Sequence, residues 1–355
     1  MNSLEIIILI LNVLICIPTL ASLTTFDYWW IRDFDFPRIQ ISFLILVNLI
    51  LALSLYSFQE PWHFIIVTVL LSCLIYQCWL IFPYTILAKK QTLKYKGKAD
   101  DASISILVSN VLMTNRDYNK LINLIKHKNP DLFLTLESDD KWEKALDSFE
   151  DEYPHSVKVP LDNLYGMHLY SKLPLEQMEV KYLIKESIPS IHGYVELRNG
   201  LKVKVHCLHP RPPSPTESKT STNRDAELLL IGKEIEKNQS STLVFGDLND
   251  VAWSRTTKVF QKVSGLLDPR RGRGFYNTYS TKHFFLRWPL DHVFHSDDFT
   301  LIAISREKDI GSDHFPMSIK LNYSPEKKVN QEKLEVSQEE EQWASKKIDK
   351  GKKSS

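Results

Sequence analysis

The chain has 355 residues, 43% of them hydrophobic and 25% charged, with a formal net charge of +1. A length beyond the roughly 100–200 residues of one domain favours an anchor plus a catalytic domain, or two domains. Between Asp100 and Lys320 acidic and basic side chains nearly balance, so bulk charge gives no sign of a nucleic-acid partner. Cys16, Cys73 and Cys78 lie in apolar runs and Cys207 stands alone in the remainder, which excludes a disulfide scaffold.

The chain opens on three apolar stretches, residues 4–23, 39–58 and 62–82, with no charge at their centres. Each approaches the roughly 20 residues that a hydrocarbon core requires. Tyr28, Trp29, Trp30, Trp62, Trp79 and Tyr84 stand near their ends, where amphipathic rings suit the headgroup layer. A cleaved signal peptide is the alternative for the first stretch, but the basic leader is missing and two further spans follow. Residues 1–86 are therefore predicted to be an anchor of three transmembrane helices in the lipid bilayer, and 87–103 a basic juxtamembrane linker. Arg32 and Arg38, in the first loop, fall on the same side as Lys89, Lys90, Lys94, Lys96 and Lys98. The positive-inside rule then puts the amino terminus outside and the following domain in the cytoplasm. The same lysines would also suit anionic headgroups on either face.

Residues 104–108 form a short β-prone run, followed by a helical pattern over 118–127 and a second buried strand over 131–136. Further strands are predicted at 166–170, 194–197, 203–208, 242–245, 292–294 and 317–321, with a helix over 224–236. Strands this numerous, separated by helices and irregular loops, favour two stacked sheets flanked by helices across 104–323. The closing residues 324–355, rich in Lys, Glu, Gln and Ser, are predicted to be disordered or loosely helical.

Polar residues cluster where apolar strands end, which is where an α/β scaffold exposes functional side chains to a common cleft. They are Asn110, Glu137, His209, Asp247 with Asn249 in Gly246-Asp247-Leu248-Asn249, Asp291 in Leu290-Asp291-His292, and Asp313 with His314 in Ser312-Asp313-His314. Singly each has a plain structural alternative: a solvated strand end, an Asx turn or a cap. As an ordered series over residues 104–321 they resemble the endonuclease/exonuclease/phosphatase family. Leu248 stands where phenylalanine is usual in the family's Gly-Asp-Phe-Asn, and Ser138 and Asp139 follow the glutamate.

The resemblance implies a four-layer α/β sandwich, two stacked mixed sheets flanked by helices, and hydrolysis of a phosphate ester by activated water with no covalent intermediate. Glu137, assisted by Asn110, would supply hard oxygen ligands to Mg2+ or Mn2+, with Asp313 a further metal contact. His314 would act as general base or phosphate-facing imidazole, with Asp291 fixing its tautomer. Asp247 would orient or deprotonate the water, Asn249 would donate to a phosphoryl oxygen, and His209 to another oxygen or the leaving group. Tyr165, Gly166 and Ser171 resemble a strand lining the cleft, and Arg211, Arg224 and Arg287 are candidates for phosphate contact. Arg270, Arg271 and Arg273 are the best hint of a nuclease. The leading expectation is a membrane-tethered phosphoesterase whose phosphate-ester substrate is lipid-linked, because a short flexible tether would hold the cleft near the headgroups. A nuclease acting on DNA or RNA and a catalytically inactive binding relative are the alternatives.

Overall fold

The computed structural model describes residues 3–354. Helices α1 (Ser3–Leu23), α3 (Arg38–Leu55) and α4 (Pro61–Ile81) form the amino-terminal bundle. Three helices among the described residues are long and apolar enough to cross a membrane, and most of each window faces outward. Exposed Phe43, Phe64 and Ile75 on these helices suit lipid contact, while Ile8, Ile45, Leu49 and Leu70 pack between them.

The bundle is joined to the following domain through packed chain. Trp29 of the short α2 (Trp29–Arg32) donates its backbone N–H to Lys219 O at 3.0 Å, and Trp253 Nε1 donates to Asp35 O at 2.7 Å. Tyr84 donates its hydroxyl to Ala252 O at 2.6 Å, and Lys258 Nζ lies 4.5 Å from the centre of the Trp79 ring. The linker is equally engaged: Thr92 Oγ1 meets His295 Nε2 at 2.8 Å, and Tyr95 N donates to Leu301 O at 2.8 Å. The carboxyl end of α1, the amino end of α3 and the carboxyl end of α4 thus all lie toward the domain.

The domain is a sandwich of two mixed sheets. Strands β1 (Ser103–Asn110), β2 (Leu132–Leu136), β3 (His155–Val159), β4 (Met167–Ser171), β10 (Phe299–Arg306) and β11 (Met317–Tyr323) form one sheet, in the order β10-β11-β1-β2-β4-β3. Strands β5 (Leu175–Lys181), β6 (Ser190–Glu196), β7 (Lys202–Leu208), β8 (Thr242–Asp247) and β9 (Asp291–His295) follow in chain order in the other. The period of two divides each strand between layers: Ile104, Ile106 and Val108 face Val205, Cys207 and Phe245 in the central core. Leu107 and Phe133 point outward, under α5 (Tyr118–Lys128) and α6 (Asp140–Leu146), where Trp142 is buried. On the other side α7 (Thr222–Asn238) and α8 (Arg255–Ser264) cover Leu208, Val244 and Phe294 with Leu228, Ile231 and Phe260. This is the four-layer arrangement expected.

Strands β3, β5 and β10 escaped the sequence reading. All three are edge strands with half-exposed patterns, so they require no continuous apolar run. The closing segment also departs from expectation: residues 338–353 form α9 (Gln338–Lys353), opened by a capping box between Ser337 and Glu340. Its low apolar content misled because it docks through small residues and charge. Ala344 is buried, Gly351 sits against Ala226, and Lys347 pairs with Asp225 at 3.2 Å and with Asp27.

Candidate active site

The carboxyl ends of β1, β2, β7 and β8 converge with the amino ends of β9 and β11 at one edge of the sandwich. Asn110 closes β1, Glu137 follows β2, His209 follows β7 and Asp247 closes β8. Asp291 opens β9 and His314 precedes β11, instead of following a strand. The antiparallel pairings of β9 with β8 and of β11 with β1 turn their starts to the same edge, with Asp247 opposite Asp291 in register.

Two glycines permit the approach. A Cβ on Gly246 would stand 2.0 Å from Leu208 O, and one on Gly166 2.0 Å from Ser138 O. The first lets β8 close on β7, which sets Asp247 beside His209; the second lets β4 close on the turn after Glu137. Glu137 (φ 57°) and Asn249 (φ 51°) are held in the left-handed region. Side chains with a Cβ adopt it at a cost of order 1 kcal/mol, a strain concentrated at functional sites.

Side-chain contacts tie the rim together. Asn110 Nδ2 donates to Glu137 Oε1 at 2.8 Å and to Asp247 Oδ2 at 3.1 Å, while its oxygen accepts from Leu112 N at 3.1 Å. Asn110 therefore bridges two carboxylates in this geometry, with its amide oxygen turned onto its own loop. His314 Nδ1 lies 2.8 Å from Asp291 Oδ2, and its Nε2 lies 3.5 Å from Asp247 Oδ2. His209 Nε2 stands 3.9 Å from Asp247 Oδ2, with its ring against Tyr165. Ser312, in the expected motif, pins the loop by donating to Asn110 O at 2.8 Å and accepting from His314 N at 3.1 Å.

Burial and charge set the protonation states. Burial, reinforced by Asp313 and Asp247, pushes the Glu137 carboxyl up to about 7 against the Asn110 hydrogen bond and the His314 charge. Burial also raises Asp291 and lowers His209. At Asp247 burial is outweighed by His314, His209 and two hydrogen bonds, which hold it below the usual carboxylate range. At His314 burial is outweighed by Asp291 and Asp247, so the ring is held well above the ordinary imidazole value and stays protonated at neutral pH.

The endonuclease/exonuclease/phosphatase family model matches residues 107–314, more than half of the chain and all of this rim. The chain belongs to the endonuclease/exonuclease/phosphatase family. Solved structures agree on the fold. Danio rerio TDP2 complexed with a single-strand DNA product is 15% identical, covering 62% of this chain and 99% of that one, with a TM-score of 0.51. TDP2 from Caenorhabditis elegans is 17% identical over 64% and 77% of the two chains, with a TM-score of 0.52. An endonuclease/exonuclease/phosphatase family protein from Bacteroides thetaiotaomicron is 16% identical over 62% and 98%, with a TM-score of 0.52. No curated protein sequence matches significantly. Members of the family are in general metal-dependent phosphoesterases and nucleases.

The rim fits a divalent cation. Four carboxylates, Glu137, Asp247, Asp291 and Asp313, face two imidazoles. An excess of buried carboxylate oxygen suits a hard cation. Asp247, Asp291 and His314 offer ligand atoms within 4.8 Å of one another. Both His314 nitrogens already face those carboxylates, and Glu137 lies beside them, bound to the same Asn110 amide.

Arg224 does not join the site as expected. Arg224 is fully buried, paired with Asp225 at 2.9 Å and Asp250 at 3.3 Å, and donates to Asn249 O at 2.8 Å. It holds the catalytic loop from behind and cannot reach a phosphate. Arg270 is paired with Asp268 at 2.7 Å, Arg273 donates to Pro269 O and Thr92 O, and Arg271 stacks near Tyr84. Of the cluster that hinted at a nuclease, Arg270 is thus internal scaffolding, while Arg271 and Arg273 are half-buried. Arg211 pairs with Glu217 at 3.3 Å, and Arg287 donates to Ser280 O at 3.0 Å. Conversely, sequence reading missed Thr278, whose hydroxyl accepts from Asp291 N at 3.1 Å, and Tyr279, whose ring lies 5.0 Å from that of His314. They sit in an irregular loop with no periodic signal.

Proposed function

We propose that this protein is a membrane-tethered phosphoesterase that hydrolyses a phosphate ester on a membrane lipid by direct attack of water, with Mg2+ or Mn2+ at Glu137. The observation that carries the reading is the Asp291–His314–Asp247 relay facing an under-neutralised Glu137, on a domain docked to three apolar helices. Glu137, with Asp313 close by, would hold the cation, which when bound would neutralise charge at the phosphoryl oxygens. Asp247, kept ionised, accepts the proton of the attacking water and aims it. His314 acts as a phosphate-facing imidazolium instead of a base, because Asp291 keeps its proton in place; it donates to a phosphoryl oxygen as charge builds. His209 is neutral and presents a further ring N–H to the leaving group. Asn249 is fixed by donating one amide hydrogen to Pro210 O at 3.0 Å and has a second for phosphoryl oxygen.

Lipid specificity is supported by the docking of the domain on the bundle, which in a bilayer would hold the cleft near the headgroups and raise the effective concentration of membrane substrate. Arg32, Arg38 and the run from Lys89 to Lys98 lie on the domain's side of the bundle, which favours a cytoplasmic domain. A cysteine replacing exposed Lys327 is then shielded from an impermeant thiol reagent in intact cells, and ready labelling would place the domain outside.

The deciding assay takes full-length protein in vesicles with Mg2+ and compares lipid phosphate esters with duplex and single-stranded DNA. Higher kcat/KM on the lipid supports the reading. Preference for DNA would instead select the nuclease alternative, and inactivity on every substrate the inactive relative.

A further inference from the structure

Beside the relay lies a cavity of about 370 Å³, within the range of small-molecule sites, roughly 300–1,000 Å³. Its apolar wall is Phe36 and Pro37 from the loop before α3, Pro212 and Pro213 after β7, and Leu286 and Trp288 before β9. Asn249 and Tyr279 form its inner end. An aromatic path connects the membrane side with the chemistry: Phe36 meets Trp288 edge-on at 5.7 Å, Trp288 stacks on Tyr279 at 5.9 Å, and Tyr279 lies against His314. The one charged residue lining it is Asp33, and no lysine or arginine does, so a nucleic-acid backbone has nothing to bind here.

The outer lip is unusual for a soluble surface. Phe284 and Phe285 are 71% and 78% exposed, and Leu286 follows them outward. The Phe285 carbonyl accepts a hydrogen bond from Gln40 Nε2, in the first turn of α3. Exposed Phe43 and Leu44 continue the same apolar surface along that helix. Adjacent exposed aromatics joined to the end of a membrane-spanning helix occupy the depth at which such rings partition into the interface.

We propose that the Phe284–Phe285 lip is immersed in the bilayer interface beside α3, and that the cavity receives the hydrocarbon of a phosphate-bearing lipid entering sideways from the membrane. This rests on the lipid-phosphoesterase reading above and adds the entry route. The aromatic wall takes the first part of the chain, Asn249 and Tyr279 mark where the polar headgroup begins, and the phosphate then lies against His314.

Three measurements on the full-length protein in phosphatidylcholine vesicles test this. With exposed Cys78 replaced by serine, the other cysteines are buried, and an environment-sensitive fluorophore can be attached to a cysteine at position 285. Doxyl-labelled phosphatidylcholine should quench it, but not a label at Asn199, in the turn at the opposite end of β7. Vesicles carrying phosphatidic acid with a photoactivatable diazirine in one acyl chain should cross-link to Phe36, Leu286 or Trp288. An unquenched label, or cross-links confined to outward residues such as Phe43, Phe64 and Ile75, would overturn the proposal. The pair Phe284→Ser and Phe285→Ser should lower kcat/KM tenfold or more on vesicle lipid and leave hydrolysis of soluble bis(4-nitrophenyl) phosphate unchanged. Equal loss on both substrates, or no loss, would overturn it as well. If the wild type hydrolyses neither class of ester, the phosphoesterase reading fails, while quenching and cross-linking still decide the entry route.

Discussion

Two groups of buried charges lie close together in this protein and behave oppositely. In the seam between the amino-terminal bundle, α7 and α9, four aspartates have cations: Asp27 has Lys347 and Lys350, Asp35 has Arg32 and Arg38, and Asp225 and Asp250 share Arg224. Asp225 is accordingly pulled down to about 2, whereas burial keeps Asp250, second on the same guanidinium, at about 6. At the rim, carboxylates outnumber imidazoles. A matched set is complete within the fold and serves position, while an unmatched set calls for a cation from outside. Burial alone does not separate structure from function; the balance of charge does.

The largest expected effect is at the rim. Asp247→Ala should cut kcat on a soluble ester by about 10³-fold, within the 10²- to 10⁴-fold range of general acid–base contributions, with divalent-metal affinity by calorimetry nearly unchanged. Glu137→Gln should lower metal affinity and activity together, because shape is kept and the charged ligand lost. A Glu137→Gln protein that binds Mg2+ like wild type would move the metal from Glu137 to the relay, and erase the distinction drawn here.

At the seam the effect should appear in stability. Lys347→Met leaves Asp225 on Arg224 alone and Asp27 on Lys350, so about 3 kcal/mol should be lost, near the lower end for breaking a buried pair. Denaturation of full-length protein in nanodiscs reads this, and kcat on a soluble ester should stay unchanged. Adding Asp27→Asn should recover part of the loss, since the pair and not the lysine is being tested. A fall in kcat without a fall in stability would show that the seam works through Arg224 on the Asn249 loop.

This contrast also explains what the sequence could reveal. The rim residues were legible because their chemistry demands particular types at strand ends, and each short motif carries its own local geometry: the glycine before Asp247, the serine before Asp313. The paired arginines were not legible, since one chain of letters does not show that Arg224 faces Asp250 from another element, or that Arg270 is spent on Asp268. Inner strands announced themselves through apolar runs, whereas edge strands β3, β5 and β10 and helix α9 owe their order to neighbours. The contacts of the linker were not legible either, because its anchoring is largely backbone and hydroxyl hydrogen bonding, which leaves no periodic trace.

Glu227 supplies a third kind of buried charge and the smallest effect. It is 3% exposed in α7, its Oε1 has no hydrogen-bond partner, and burial pushes its carboxyl up to about 8 from an ordinary value of 4.5. It is therefore protonated in the folded protein at neutral pH and ionised in the unfolded chain. Between about 4.5 and 8 the folded state binds the extra proton, so stability falls as pH rises through that window and levels off above it. At pH 7 the loss is at most about 3 kcal/mol, from 1.36 kcal/mol per unit. Glu227→Gln stays neutral throughout, so its stability relative to wild type should rise steadily from pH 5 to 8 and be constant below 4.5, as read by denaturant midpoints. Parallel wild-type and variant curves would mean that Glu227 has a partner in solution, which would return it to the matched class of the seam.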